Sequence, residues 1–149
     1  MRAVLQRVSY ASVEVDGLTA GKIGPGILVL IGFYPDDQEK DNQYMMDKII
    51  NLRIFEDEEG KMNRSVEDIG GGILLIPNFT LYGDARHGRR PSFSDSSSPA
   101  VARIQFDAFC RHFRQAFPAV QTGVFQAEMK VSLLNDGPVT ILLDSERKF

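Results

Sequence analysis

LLNDGPVTILL, Leu133 to Leu143, reads as a β-strand broken in its middle. Leu133 and Leu134 precede the break, and Val139, Ile141, Leu142 and Leu143 follow it. Between them stands Asp136-Gly137-Pro138. Proline removes a ladder donor and glycine weakens a strand, so the ordinary reading of such a pair is a turn. How the rest of the chain pairs around this interruption decides the fold.

Working outward, the segments before it are mostly short strands. Arg2 to Val8 alternates well enough for one strand, and Ser12 to Val15 makes another, closed by a hairpin-type Asp16-Gly17 turn. Gly21 to Gly26 reads as a second turn, and Ile27 to Phe33 as a continuous apolar strand buried on both faces. Residues 37–54 read as a helix with Met45, Ile49 and Leu52 on one stripe and Met46 and Ile50 beside it. Ile54 to Asn63 reads as two short strands around an acidic turn. The triplet Gly70-Gly71-Gly72 lacks the lysine and hydroxyl of a phosphate loop and is expected to be a flexible turn before the strand Ile73 to Ile76. Ser98-Pro99 is a helix start, with a capping hydroxyl and proline at the first helical position. Ala102, Phe106, Phe109, Phe113 and Phe117 then mark a core stripe, and Pro118 ends the helix. About eight strands and two helices, with strands in sequential runs, predict an α+β fold with mainly antiparallel pairing.

The bulk properties narrow the class. The chain has 149 residues, 43% hydrophobic and 25% charged, which fits one soluble domain spanning 1–149. Ile27 to Phe33 is far too short for a membrane span. Gln6 and Arg7 break any apolar core of signal-peptide type, so a cytoplasmic protein is expected, with no membrane partner. A single cysteine, Cys110, excludes an internal disulfide and a cysteine-rich metal site; set among phenylalanines, it reads as a buried apolar residue. The net charge of −3 argues against nucleic acid only on average, because Arg86, Arg89 and Arg90 cluster around His87 in a local basic run.

Conventional catalytic sets are missing from the sequence. His87 and His112 have no HxH or HExxH spacing, and no GxSxG elbow occurs. No metal or cofactor is expected. The segment Ile73 to Asp84 offers something else: a buried strand runs into Pro77 and Asn78, then Phe79, Thr80 and Leu81. Proline at a strand end stops the ladder, so the amides after it are expected to lack sheet partners and to be able to hold an oxyanion.

At this point the chain resembles the D-aminoacyl-tRNA deacylase family from end to end. The likeness runs through MRAVLQRVSYASVEVDG, GKIGPGILVLIG, RIFEDEEGKMN, FTLYGD, GRRPSFS, TGVFQAEMKVSL and NDGPVT. Two motifs are specific: NDGPVT, Asn135 to Thr140, and the Ser-Gln-Phe-Thr-Leu motif, which stands here as Pro77-Asn78-Phe79-Thr80-Leu81. Pro77 replaces serine and Asn78 glutamine, so a role that rests on that serine does not carry over.

The resemblance implies a barrel-like sheet with two peripheral helices. It also implies hydrolysis of the ester of D-aminoacyl-tRNA, glycyl-tRNA included, at the 3′-terminal adenosine. It further implies a homodimer with the active site at the subunit interface. There a cis Gly137-Pro138 element of one subunit enters the pocket built by residues 77–81 of the other, and L-amino acids are rejected. Phe79, Thr80 and Asn78 are the expected catalytic residues. Gly137, Pro138, Pro77 and Arg7 are expected to bind substrate and select its hand, with Arg7 bracing the Gly-Pro element. Arg86, Arg89 and Arg90 are candidates for tRNA contacts. Thr80 as a nucleophile is an open alternative that lacks a visible base. Two other functions compete: a relative with a trans Gly-Pro and relaxed chirality that clears an L-amino acid from mischarged tRNA, and a noncatalytic tRNA-binding module.

Overall fold

The first strand organises the molecule. In the computed structural model, which describes residues 1–149, β1 runs unbroken from Arg2 to Val15. The sequence reading split this segment in two because its alternation slips: Arg7 and Val8 are both buried, and Ser9 and Tyr10 are both exposed. The slip coincides with a register shift in the pairing, so the strand absorbs it as a bulge without ending.

Both edges of β1 are used. On one edge Arg2–Val8 pairs antiparallel with β3 (Gly26–Gly32), and Ala11–Val15 pairs antiparallel with β2 (Leu18–Ile23). Asp16 and Gly17 close the β1–β2 hairpin with positive φ of 51° and 77°. The other edge carries β8 (Lys130–Asp144), antiparallel along nearly the whole length. Beyond β3 the sheet continues with β6 (Gly72–Pro77) and β7 (Gln121–Thr122), both parallel to their neighbours. The pairing is therefore mainly antiparallel, with two parallel joins the sequence did not announce. A small separate ribbon pairs β4 (Phe55–Glu56) with β5 (Met62–Arg64), as the acidic turn predicted.

The sheet curls almost into a barrel. A Cβ placed on Gly21 of β2 would lie 3.1 Å from the Thr122 carbonyl oxygen of β7, so the two outer strands come into contact. At the start of the β3–β6 pair, a Cβ on Gly26 would lie 1.9 Å from the Gly72 carbonyl oxygen. Gly72 is thus a strand residue needed for close backbone approach, whereas the triplet was expected to be a turn throughout; Gly70, at φ 60°, does turn.

Both helices pack on one face of the sheet. α1 (Glu39–Asn51) and α2 (Pro99–Ala116) bury Met45, Ile49, Phe106, Phe109 and Phe113 against Leu5, Ile27, Val29, Ile31, Ile73 and Leu75. Full burial contributes about 1.5–3 kcal/mol for each large apolar side chain. The opposite face of β3 puts Leu28 into a second cluster with Val8, Ala11, Val13, Leu74 and Ile76, which fills the curl. The Ser98 hydroxyl makes no capping bond; its carbonyl accepts from Ala102 N–H at 2.8 Å. No helix is long and apolar enough to cross a membrane.

Candidate active site

The interruption in β8 is a four-residue bulge. Gln6 pairs with Thr140 and Val8 with Asn135, so Asp136–Val139 loops out opposite the single residue Arg7. Asn135 closes the base of the bulge, its Nδ2 donating to the Arg7 and Val139 carbonyls, both at 3.0 Å. Arg7 holds it from beneath. Only 7% exposed, Arg7 donates through Nη1 to the Ile54 carbonyl at 2.8 Å and through Nε to the Asp136 carbonyl at 3.3 Å. Its Nε also lies 3.6 Å from the Asp136 carboxylate. Gly137 has φ 117°, and a Cβ there would meet Arg7 Nη2 and Val139 Cγ2 at 2.9 Å each. The Gly137–Pro138 peptide is cis, and both residues are exposed. Leu134 and Leu142, 52% and 54% exposed, flank them on the same strand.

The second motif forms a tight turn at the end of β6. Pro77 is the last strand residue, and Phe79–Tyr82 is a short 3₁₀ helix capped by Asn78. The Asn78 side-chain oxygen accepts from Thr80 N–H at 3.2 Å and from the Thr80 hydroxyl at 2.5 Å. Asn78 N–H donates to the Ile31 carbonyl at 2.7 Å, and Leu81 N–H to the Asn78 carbonyl at 3.4 Å. Phe79 N–H has no partner. Neither Phe79 N–H nor Thr80 N–H has a sheet partner, but the cap that orders the turn occupies the Thr80 donor and leaves one amide free. The Thr80 hydroxyl proton points at an amide oxygen, so no base stands ready to activate this group.

A cleft of about 710 Å³ opens above this turn. Its wall combines Pro77, Asn78 and Phe79 with Phe93, the Ser96–Pro99 entry into α2, and Phe125, Gln126 and Met129. Phe79, 56% exposed, meets Phe93 edge to face with ring centroids 5.2 Å apart. A mostly apolar concavity of this size, with a few polar groups, suits a small ligand. None of Asp136–Val139 lines this cleft. The two motifs therefore stand on separate parts of one protomer, and Arg7 belongs with the bulge and not with the cleft.

The basic loop is only partly available. Arg86 donates to both oxygens of Asp84 at 2.8 and 2.9 Å, and this bonding pulls the Asp84 carboxyl down to about 2. Arg89 and Arg90 are exposed and make no ion pair. Elsewhere, His112 Nδ1 lies 3.3 Å from Glu39 of α1, remote from the turn, and burial pushes the Cys110 thiol up to about 12. Burial likewise raises the Tyr82 hydroxyl.

Sequence reasoning assigned no role to Phe93, Phe125, Gln126, Met129 or Asn135. The first four reach the cleft only through tertiary folding. Asn135 carried a signal, a short amide immediately before the interruption, which is the residue type that ties down irregular backbone.

Comparison with known proteins agrees with this architecture. Residues 4–144 match the family described as D-Tyr-tRNA(Tyr) deacylase. Relatives named D-aminoacyl-tRNA deacylase from Kosmotoga olearia and Thermosipho africanus are 57% and 54% identical over 149 residues, covering 100% of both chains. The solved structure of a c-Myc DNA Unwinding Element Binding Protein superposes with a TM-score of 0.91 at 40% identity, covering 97% of this chain and 98% of that one. A probable eukaryotic D-amino acid tRNA deacylase shares the fold, with a TM-score of 0.83 at 18% identity over 95% of this chain and 97% of that one. These likenesses first define a class, the deacylases, which are hydrolases. The chain belongs to the D-Tyr-tRNA(Tyr) deacylase family.

Proposed function

We propose that this protein hydrolyses the ester joining a D-amino acid to the 3′-terminal adenosine of tRNA. The single observation that carries the site is the unpaired Phe79 N–H at the wall of the cleft. In this reading water adds to the ester carbonyl carbon, and the carbonyl oxygen takes its negative charge against that amide. The intermediate then collapses, the ester C–O bond breaks, and the adenosine oxygen leaves with a proton. The neighbouring ribose hydroxyl is placed to pass that proton. One preorganised oxyanion donor contributes roughly 10²–10³ in rate, and an activated ester requires little more.

Selection of the hand falls to Gly137 and Pro138 of a second protomer. Their exposure, the two exposed leucines beside them and their absence from their own protomer's cleft support delivery into a partner's cleft. An isologous homodimer would then form two equivalent sites. With the ester carbonyl at Phe79 and the amino group held near the Gly-Pro main chain, a D side chain projects into the open cleft. An L side chain runs into the main chain. Rejection by collision requires no recognition of the side chain, so many D-amino acids, and glycine, are substrates. Asn78 acts by ordering the turn, and Pro77 shapes the cleft floor. The reaction belongs in the cytoplasm, where aminoacyl-tRNA is made and used.

Matched D- and L-tyrosyl-tRNA, with glycyl-tRNA as a third substrate, test this reading. Turnover of the D ester and of glycyl-tRNA with the L ester intact is the expected result. Rapid cleavage of the L ester would establish the relaxed-chirality relative instead. Tight binding with no turnover of any ester would establish the noncatalytic module.

A further inference from the structure

We propose that the outer flank of α2 is the track for the RNA backbone leading out of the cleft, with Arg103, Arg111 and Arg114 as its phosphate contacts. This rests on the deacylase reading and names the surface that takes the rest of the substrate. α2 begins at the cleft, where Pro99 and Ala102 are part of the wall, and runs away from it. Arg103 sits at the rim. Its guanidinium lies 5.0 Å from the centroid of Phe125 and donates to Gln126 Oε1 at 2.9 Å, and both of those residues line the cleft.

At 100° per residue, Arg103 and Arg114 share one flank of the helix and Arg111 lies beside them. The Arg114 bond to Thr122 Oγ1, 3.4 Å long, puts that end of the flank against the same 121–126 segment. Eleven residues at 1.5 Å each separate Arg103 from Arg114 by roughly 16 Å, the length of a few nucleotides of single strand. All three arginines are exposed and none makes an ion pair. Asp107 is four residues from both Arg103 and Arg111, yet it pairs with neither. The flank is therefore a row of cations whose charge no carboxylate neutralises, on a rigid helix and continuous with the ligand cleft. Of the loop arginines, Arg86 is already spent on Asp84, whereas Arg89 and Arg90 are unpaired and are the competing contacts, standing on a loop instead of on a helix that starts at the cleft. Contacts of this kind hold the backbone and read no bases, which suits an enzyme that accepts many tRNAs.

The test compares two substrates: D-tyrosyl-tRNA, and the D-tyrosyl ester of adenosine, which has no phosphate. The double variant Arg111→Gln/Arg114→Gln is expected to lose about tenfold or more in kcat/KM on the tRNA at moderate salt. Its log–log salt slope should flatten by roughly 1.4, which is 0.7 for each lost contact. Hydrolysis of the adenosine ester should stay within about twofold of wild type. Asp107→Asn should shift tRNA affinity the other way, upward, at low salt. Equal losses on both substrates, or no loss on tRNA, would overturn the proposal. So would a tRNA-specific loss found only in Arg89→Gln/Arg90→Gln. If the double variant does not fold, the two single variants carry the same comparison. Wild-type protein that cleaves neither D ester would sink the deacylase reading itself, and the salt slope of uncharged tRNA binding would then decide on the track alone.

Discussion

The Asp136–Val139 bulge and the Asn78–Tyr82 turn are both departures from regular strand, and they are secured by opposite means. The bulge is tied to distant sequence: Arg7 bridges the Asp136 carbonyl to the Ile54 carbonyl, and Asn135 reaches back to Arg7. The turn is tied largely to itself, through the Asn78 side chain and the two Thr80 donors it serves. A bulge fixed to β1 and to the segment after α1 is held in place by the core beneath it, which is what a steric gate requires. A self-capped turn can adjust to a ligand while keeping one amide free. The proposed chemistry divides along this line, with rejection assigned to the stiff element and charge stabilisation to the adjustable one.

Substitutions at the two regions separate these roles. The largest effect is expected from Phe79→Pro. Position 79 opens the 3₁₀ helix, where proline is tolerated, and Asn78, at φ −146° and ψ 92°, is already extended and needs only about 30° more in ψ to suit a following proline. This change removes the unpaired amide, so kcat should fall about 10²–10³-fold with little loss of stability. Phe79→Ala, which keeps the amide, separates the donor from the ring. Single-turnover deacylation together with urea unfolding reads both.

Next comes Arg7→Met, which fills similar space but leaves the Ile54 and Asp136 carbonyls without their donor. About 2–4 kcal/mol of stability should be lost, with faster amide exchange across Asp136–Val139 and loss of discrimination against L esters. Unchanged exchange in the bulge would mean that Arg7 is not its brace. The smallest effect is expected from Asn78→Ala: about 0.5–2 kcal/mol, as for other lost caps. It frees the Thr80 amide, so kcat should change only a few-fold. A collapse of activity there would show that Asn78 touches substrate.

Much of this was legible in the residues. The phenylalanine stripe of α2, the doubly buried β3 and the acidic β4–β5 turn follow from periodicity and turn chemistry, because each depends on neighbours close in sequence. The continuity of β1 was not legible, since its alternation slips at Ser9 and only β8 on the far edge shows that the strand goes on. The parallel joins of β6 and β7 were hidden for the same reason. At the site, Pro77, Phe79 and Gly137 stand out by residue type, but the cleft wall does not: Phe93, Phe125 and Met129 come from separate segments and meet only after folding. The engagement of the Thr80 amide by Asn78 is the ordinary bond of an asparagine to the N–H two residues on, and it becomes readable only once residue 78 is known to cap a helical turn.

Mixing two damaged protomers tests most directly whether the bulge of one copy completes the cleft of the other. Gly137→Ala places a methyl group where Arg7 and Val139 stand at 2.9 Å, spoiling the bulge, while Phe79→Pro spoils the cleft. Each homodimer should be nearly inactive on D-tyrosyl-tRNA, because the spoiled bulge no longer holds the substrate's amino group and the spoiled cleft no longer holds its ester carbonyl. After unfolding and refolding together in equal amounts, half the dimers are mixed, and each mixed dimer has one intact site, so about a quarter of wild-type activity should return. No recovery, with mixed dimers demonstrably formed, would contradict a site shared between protomers.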